Sequence, residues 1–183
     1  MILLVAATER ELCGHRGLVC GVGPVEAAAA TARAVAQSQV GAVLHVGLAG
    51  GRGLEVGAVV VGTESVYCDL EAAWPVVERA EPDAQLVDLA RRSLPEAVPM
   101  PIHTSGAVGG APDTVSHATL VEAMEGFGVL RAAELAGVPA VEVRVVSNEI
   151  GEPDRGQWEL ELGLRVLGEA IPVLLAGVTA RGS

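Results

Sequence analysis

The chain has 183 residues, half of them hydrophobic, and a formal net charge of −11 at pH 7. This length is enough to close one sizeable hydrophobic core, so we predict a single domain over residues 1–183. Because phosphate backbones are bound by clustered cations, the acidic balance argues against nucleic acid or an anionic membrane as partner and favours a small molecule.

The missing residue types narrow the chemistry further. All twelve cationic residues are arginine, which excludes Schiff-base catalysis by lysine and the P-loop lysine. Cys13, Cys20 and Cys68 fit neither a zinc knuckle nor a disulfide framework, and the four histidines have no spacing suited to a shared metal. We therefore expect a cytoplasmic protein with reduced thiols and without a metal or cofactor. The apolar start predicts a buried strand rather than a signal peptide, and no other apolar run approaches the ~20 uncharged residues that cross a bilayer.

Apolar runs and alanine-rich segments alternate along the chain. Short, continuous β-branched runs are typical of strands buried on both faces. Such runs predict strands at residues 2–7, 18–20, 43–46, 58–61, 102–104, 119–123 and 140–147. Helices are predicted at about residues 24–38, 83–93, 125–136 and 157–175. With few aromatic residues to fill the core, this order favours an α/β fold over a β-sandwich.

Prolines mark three local features. Pro24 is predicted at the first position of the first helix, where its missing N–H has no consequence. Pro172 falls inside the last predicted helix and is expected to kink or interrupt it. Residues 74–101 hold five prolines around one short helix, which predicts an irregular surface excursion.

Two glycine-containing segments follow predicted strands. Gly21-Val22-Gly23-Pro24 leads into a helix, where backbone N–H groups can contact an anion or a sugar, and a plain strand-to-helix turn is an equal alternative. Residues 45–51, His-Val-Gly-Leu-Ala-Gly-Gly, are small enough for the backbone to pass beside a flat ligand. A simple glycine turn is the alternative there.

Acidic residues fall at the ends of two predicted strands. Glu11 follows the first strand, at the carboxyl edge of the sheet where α/β folds bind ligands, although acids at such positions are more often solvated. Glu122 and Glu125 flank Met124 at the end of another strand, where buried carboxylates need partners such as ribose hydroxyls. The alternatives are a solvated surface position for Glu122 and a helix N-terminal acid for Glu125.

Asn148 is the one asparagine of the chain. It comes directly after the most apolar predicted strand, which makes it a candidate for ligand recognition. The alternative is an asparagine that forms a turn ahead of Gly151.

Taken in this order, the motifs resemble the nucleoside phosphorylase and nucleosidase superfamily, and within it the futalosine hydrolases of menaquinone biosynthesis. Residues 6–11 resemble the family's opening strand and acid, and residues 20–28 its glycine turn. Residues 47–51 are similar to its base-side loop, residues 121–126 to its ribose motif and residues 144–148 to its base-recognition strand. The resemblance runs through nearly the whole chain. It implies a three-layer αβα fold with a central twisted sheet that is mixed and mostly parallel.

The resemblance also implies roles for individual residues. Glu11 would orient and deprotonate the attacking water, and Asn148 would recognise the N7 edge of a purine. The implied substrate-binding residues are Leu48, Ala49, Gly50, Glu122, Met124, Glu125 and Trp158. Of these, Leu48, Ala49 and Gly50 would lie along the base. The two glutamates and Met124 would lie near the ribose, and Trp158 at the far end of the substrate. Because glycosidic cleavage passes through an oxocarbenium-like ribose, a carboxylate and a positioned water suit the reaction.

The amide of Asn148 favours a 6-oxopurine. It can donate to O6 and accept from N7–H of the departing base, whereas an adenine, with its N–H donor beside N7, suits an aspartic acid. We therefore predict hypoxanthine as the leaving group. Hydrolysis is predicted over phosphorolysis on two grounds. Glu11 can activate a water, and a phosphate site requires two or more arginines that converge on the sugar face, whereas the sequence does not place Arg16, Arg52 and Arg144 together.

Two other functions stay open. One is a purine nucleoside phosphorylase or a methylthioadenosine/S-adenosylhomocysteine nucleosidase of the same fold, and the other is an inactive nucleoside-binding protein. The joint presence of Glu11, Glu125 and Asn148 speaks against the inactive form. Members of the family are usually homodimers or larger, so we expect a homo-oligomer.

Two segments depart from the family pattern. Nine residues separate Glu11 from Gly21, where relatives carry more, and residues 107–111 lack the aromatic residue that stacks on the base in many relatives. Trp158 or a neighbouring subunit is expected to supply the missing contact.

Overall fold

The computed structural model of the protein describes residues 1–70, 72–108 and 118–180. Its strands are β1 (Ile2–Ala6), β2 (Leu18–Val19), β3 (Ala42–Arg52), β4 (Val59–Tyr67), β5 (Arg79–Ala80), β6 (Val98–Thr104), β7 (Leu120–Ala123) and β8 (Ala140–Glu149). Its helices are α1 (Pro24–Gln37), α2 (Ala84–Ser93), α3 (Gly126–Leu135) and α4 (Leu160–Ala180). Every predicted strand and helix is present. The sequence does not predict β5, because Arg79 and Ala80 do not form a β-branched apolar run.

The strands form one eight-stranded mixed sheet. Strand β3 pairs with β7, β7 with β6, β6 with β4, β4 with β8, and β8 again with β3, so these five strands close into a ring. Strands β1 and β2 extend the sheet beyond β3, and β5 pairs with β4. The predicted α/β class with a mixed sheet is confirmed, whereas the closed ring is not predicted by the sequence.

Helices cover the sheet on two sides. Helices α2 and α4 pack with the outward valines of β8 in one apolar cluster, and α1 and α3 pack with β1 and β3 in a second cluster. Helix α1 begins at Pro24, as predicted. A side chain at Gly128 in α3 would collide with the carbonyl oxygen of Pro24, so this glycine lets the two helices pack closely.

The glycine segment at residues 45–51 belongs to β3, which corrects the alternative of a simple glycine turn. Residues 43–51 pair with β8 on one side, and residues 50–52 pair with β7 on the other. Hydrogen bonding on both sides outweighs the low strand propensity of glycine.

Two predictions about prolines are corrected. Helix α4 continues through Pro172, which lies on its exposed side, where water can satisfy the carbonyl that the proline leaves free. The predicted surface excursion ends earlier than residue 101, because Pro99 and Pro101 lie in β6. Both prolines come before His103 and Thr104, where β6 also pairs with β7, so they do not disrupt that second ladder.

Helix α4 is long and apolar enough to cross a membrane by length and composition, with a mean hydropathy of 1.6 over its most apolar window. Its buried face consists of Gly163, Leu167, Ala170, Ile171, Leu174 and Val178. Glu161, Arg165 and Glu169 lie on the exposed face. This division between the two faces is typical of an amphipathic helix on a protein core.

Candidate active site

The residues predicted to form the site all line one cavity of about 330 Å³. They are Glu11, Leu48, Ala49, Gly50, Glu122, Met124, Glu125, Asn148 and Trp158. They come from the ends of β1, β3, β7 and β8 and from the segment before α4. The structure therefore brings together all nine residues that were predicted for the site.

Glu11 is buried in the short 3₁₀ turn Arg10–Leu12 that follows β1. One carboxylate oxygen, Oε2, accepts hydrogen bonds from the backbone N–H of Thr8 at 3.0 Å and from its hydroxyl at 2.7 Å. The other, Oε1, accepts from the backbone N–H of Leu48 at 2.9 Å. The alternative of a solvated acid is therefore wrong. Three donors fix this carboxylate at the wall of the cavity.

Glu125 occupies the N-cap position of α3 and is 4% exposed. It makes no capping hydrogen bond within its own helix. Instead, Oε1 accepts from the backbone N–H of Gly23 at 3.2 Å, and Oε2 accepts from Arg144 Nη2 at 3.3 Å. The glycine turn before α1 thus donates a hydrogen bond to the Glu125 carboxylate. One of the two predictions for this turn was a contact with a bound anion or sugar instead.

Glu122 and Met124 also line the cavity. Glu122 is 6% exposed and pairs opposite Gly50 in the ladder between β7 and β3. The alternative of a solvated surface position for Glu122 is therefore wrong, because strand pairing carries the residue into the interior.

Asn148 is part of β8, so the alternative of a turn-forming asparagine is also wrong. Ala49 pairs with Val146 and Gly50 pairs with Asn148, which leaves Ser147 as a β-bulge. Bulges re-aim the side chains that follow them. The Ser147 hydroxyl donates to Asn148 Oδ1 at 2.8 Å, and Asn148 Nδ2 donates to the carbonyl of Glu149 at 3.0 Å. The amide therefore retains one acceptor site and one N–H.

Trp158 lies between the 3₁₀ turn Arg155–Gln157 and α4. Its indole N–H donates to the carbonyl of Glu152 at 3.2 Å, and the Arg155 guanidinium carbon lies 5.5 Å from the ring centroid. These contacts fix the ring at the wall of the cavity, which Leu160 and Leu164 also line.

Sequence reasoning missed a buried group of charged residues below the cavity. Arg144 is completely buried, and its Nε donates to Glu142 Oε1 at 2.8 Å. Its Nη2 donates to His45 Nε2 and to Glu125, and its Nη1 donates to the carbonyl of Leu48 at 3.4 Å. The sequence does carry a signal for this group: Glu142 and Arg144 are charged residues two positions apart in an otherwise apolar strand.

The protonation states of this group follow from its surroundings. Burial opposes the charge on Arg144, but Glu142, Glu125 and Glu11 together raise its pKa above the ordinary value, so it is a cation. Burial, aided by Arg144, holds the pKa of His45 well below its usual range. The His45 Nδ1–H donates to the carbonyl of Val5 at 3.1 Å, which leaves Nε2 of the neutral ring to accept from Arg144. Burial raises the pKa of Glu142.

Gly47 explains part of the glycine segment in a way that the sequence did not suggest. A side chain on this residue would collide with Arg144 Nη1 and lie 2.8 Å from Glu11 Oε1. The glycine therefore makes room for the guanidinium and the carboxylate, and not for a ligand.

The cations around the cavity are sparse. Within the described residues, Arg10 is the one cation that lines it, and Arg10 is ion-paired with Glu161. Arg16 is exposed at the surface, Arg52 does not line the cavity, and Arg144 is paired with carboxylates. No pair of arginines converges on the cavity in the described residues. Residues 109–111 belong to the segment that is predicted to lack a stacking aromatic residue. They lie outside the residues that the structure describes.

Known proteins resemble this chain in sequence over most of its length. The sequence pattern of the Phosphorylase superfamily matches residues 14–176. A futalosine hydrolase of Streptomyces coelicolor is 33% identical over 84% of this chain and 75% of its own length. A futalosine hydrolase of Acidothermus cellulolyticus is 47% identical over 35% of this chain and 26% of its own length.

Solved structures show the same fold. A futalosine hydrolase mutant of Helicobacter pylori superposes with a TM-score of 0.84 at 18% identity, covering 96% of this chain and 98% of that one. A methylthioadenosine/S-adenosylhomocysteine nucleosidase of Colwellia psychrerythraea in complex with adenine has a TM-score of 0.85 at 22% identity, covering 96% and 94%.

The family match and the 33% identity to a relative over most of the chain identify a protein of the nucleoside-cleaving type. The chain belongs to the Phosphorylase superfamily. The resemblance predicted from the five motifs is confirmed, and so is the predicted enzyme class, an N-glycosyl hydrolase.

Proposed function

We propose that the protein hydrolyses the N-glycosidic bond of a 6-oxopurine nucleoside, with futalosine as the substrate and hypoxanthine as the released base. The observation that carries this proposal is the convergence of Glu11, Glu125 and Asn148 on one cavity in a chain that is 33% identical to a futalosine hydrolase. The substrate and the residue roles below are parts of the proposal.

Glu11 acts as the general base. Its carboxylate is held by Thr8 and Leu48, and it takes a proton from the water that attacks the anomeric carbon. The new C–O bond replaces the C–N bond to the purine. The departing purine takes up a proton at N7 from solvent, and Glu11 returns its own proton to solvent after release. Glu122, Met124 and Glu125 bind the ribose, with the Glu125 carboxylate accepting from its hydroxyls. Negative charge beside the sugar stabilises the oxocarbenium-like transition state, and general-base help of this kind contributes about 10²–10⁴ in rate.

Asn148 selects the base. Ser147 and Glu149 each use one hydrogen-bonding position of its amide. The remaining N–H suits O6, and the remaining acceptor site suits N7–H of a departing 6-oxopurine. Leu48, Ala49 and Gly50 lie along the base. An adenine would place its amino group against the amide N–H, which leaves buried donors unpaired at a cost of about 1–3 kcal/mol.

The charges around the cavity support hydrolysis over phosphorolysis. Phosphate is typically bound by arginines that present paired N–H groups. Among the described residues the cavity is lined by three carboxylates and by Arg10, which is paired with Glu161. A phosphate dianion would therefore meet mainly negative charge near the sugar.

We also propose that the protein is a cytoplasmic homo-oligomer. Val22 and Val108 line the cavity and remain 55% and 50% exposed. Apolar side chains at the mouth of a binding cavity suit cover by a second subunit, which would take the place of the stacking aromatic residue that the sequence lacks.

The experiment that tests the proposed function is an assay of base release. The protein is incubated with futalosine, inosine and methylthioadenosine, each with and without phosphate, and the products are separated by chromatography. Phosphate-independent release of hypoxanthine from futalosine is expected. Strict phosphate dependence would indicate a phosphorylase, and adenine release an adenine-type nucleosidase. The absence of release from all three would favour a nucleoside-binding protein.

A further inference from the structure

The buried side chain of Glu142 has no role in the reaction as described so far. It lies two residues before Arg144 on the same face of β8, and both residues are completely buried. Its carboxylate does not line the cavity, so any effect of Glu142 on the site is indirect.

Charge balance alone does not account for Glu142. The electrostatic field at Arg144 already includes Glu125 and Glu11, which outnumber the single cation. A third carboxylate adds a desolvation cost that one guanidinium does not require. Glu142 does fix the orientation of the Arg144 guanidinium. It accepts a hydrogen bond from Nε, whereas the other acceptors bind the Nη atoms. A planar guanidinium held at Nε and at both Nη atoms cannot turn.

A second observation ties Glu142 to the helix that carries Glu125. A side chain on Gly126, the first residue of α3, would collide with the Glu142 carboxylate. The carboxylate therefore lies at the positive N-terminal end of α3, which favours an anion. Glu142 is thus seated between the start of α3 and Arg144 Nε, and Glu125 is the N-cap of that helix.

We propose that Glu142 is a positioning residue that, together with His45, holds the Arg144 guanidinium in one plane below Glu11 and Glu125. His45 supports the same orientation, since its neutral Nε2 accepts from Nη2. The effect on turnover rests on the proposed function, whereas the effect on Arg144 does not.

A matched pair of substitutions separates position from charge. Glu142→Gln keeps an oxygen within reach of Nε but removes the charge, whereas Glu142→Asp keeps the charge but withdraws the oxygen. For base release from futalosine, the glutamine variant should keep kcat within about threefold of the parent, and the aspartate variant should lose about 10–100-fold in kcat with little change in KM, the range typical of outer-shell partners. The reverse order would overturn the proposal.

Coupling to Arg144 gives a second test. In an Arg144→Leu background, Glu142→Asp should cause no further loss of kcat, because residues that act through one another are not additive. A loss of the same size in both backgrounds would contradict the proposal.

An NMR measurement separates this proposal from the proposed function. The Nε–H resonance of Arg144, assigned by its absence in Arg144→Leu, should be protected from exchange in the parent and in Glu142→Gln, and should be lost by exchange in Glu142→Asp. This pattern is expected even if no nucleoside is cleaved. Equal protection in all three proteins would overturn the positioning role while leaving the proposed function untouched.

Discussion

The two faces of β8 are built from opposite chemistry, although every residue from 140 to 148 is buried. One face presents Val141, Val143 and Val145 to the apolar cluster that contains α2 and α4. The other presents Glu142 and Arg144 to the group below the cavity. Apolar side chains pack wherever volume allows, whereas buried charges persist only where partners meet them. The valine face of β8 therefore sets stability, and the charged face serves the site.

Among the substitutions proposed here, the largest loss of kcat is expected for Glu11, which lies in the site. Glu11→Gln should lower kcat by about 10²–10⁴, because an amide cannot take a proton from the attacking water. Kinetics of base release measure kcat, and thermal unfolding should show a folded protein. Glu9→Gln, an exposed neighbour, is the matched control and should behave as the parent. Full activity in Glu11→Gln would remove this residue from the reaction.

The next largest effect on activity is expected for Asn148, near the end of β8. Asn148→Asp should lower kcat/KM for 6-oxopurine release by about 10–100-fold, which corresponds to about 1–3 kcal/mol for a buried group left without its partner. A protonated aspartic acid suits adenine better, so the ratio of adenine to hypoxanthine release should rise. An unchanged ratio would contradict the role of the amide in base selection.

The valine face should respond in stability alone. Val143→Ala removes two methyl groups from a completely buried position and should lower the free energy of unfolding by about 2 kcal/mol. Urea denaturation measures the loss, while kcat at 25 °C should match that of the parent. Val25→Ala, at a residue that is 74% exposed, should change neither quantity. A fall in kcat without a loss of stability in Val143→Ala would contradict the assignment of stability to the valine face and of activity to the charged face.

The smallest expected effect is a pH dependence of stability from His45. Since burial lowers its pKa in the folded protein, the unfolded chain binds the extra proton first as the pH falls. The stability contributed by neutral His45 is therefore complete above about pH 6.5 and is lost below it, by about 1–2 kcal/mol between pH 7 and pH 5.

A substitution isolates this contribution. His45→Gln keeps an acceptor for Arg144 but does not titrate, so its free energy of unfolding should fall less between pH 7 and pH 5 than that of the parent. His15→Gln, at a half-buried residue outside the charged group, should follow the parent curve. Identical curves for the parent and His45→Gln would show that His45 does not couple protonation to folding.

Much of the fold could be predicted from the sequence, because long apolar runs and alanine-rich segments have clear periods. The closed ring could not, since the antiparallel pairings of β3 with β7 and of β4 with β8 depend on tertiary packing. Eight of the nine predicted site residues were identified because each ends a strand or belongs to a motif, whereas Trp158 was implied by the family resemblance alone. Glu142 was passed over, and Arg144 was considered only as a phosphate-binding candidate, because the strand that holds both residues was interpreted from its valines. The bulge at Ser147 also leaves no mark in a single sequence.

Gly47 has a consequence for how this protein can change through evolution. Its missing side chain leaves the space that Arg144 Nη1 occupies, so neither residue can be replaced freely while the other is kept. A lineage that acquires a side chain at residue 47 should have lost the arginine at residue 144 beforehand. The two positions, 97 residues apart in the chain, are therefore expected to be inherited as a pair.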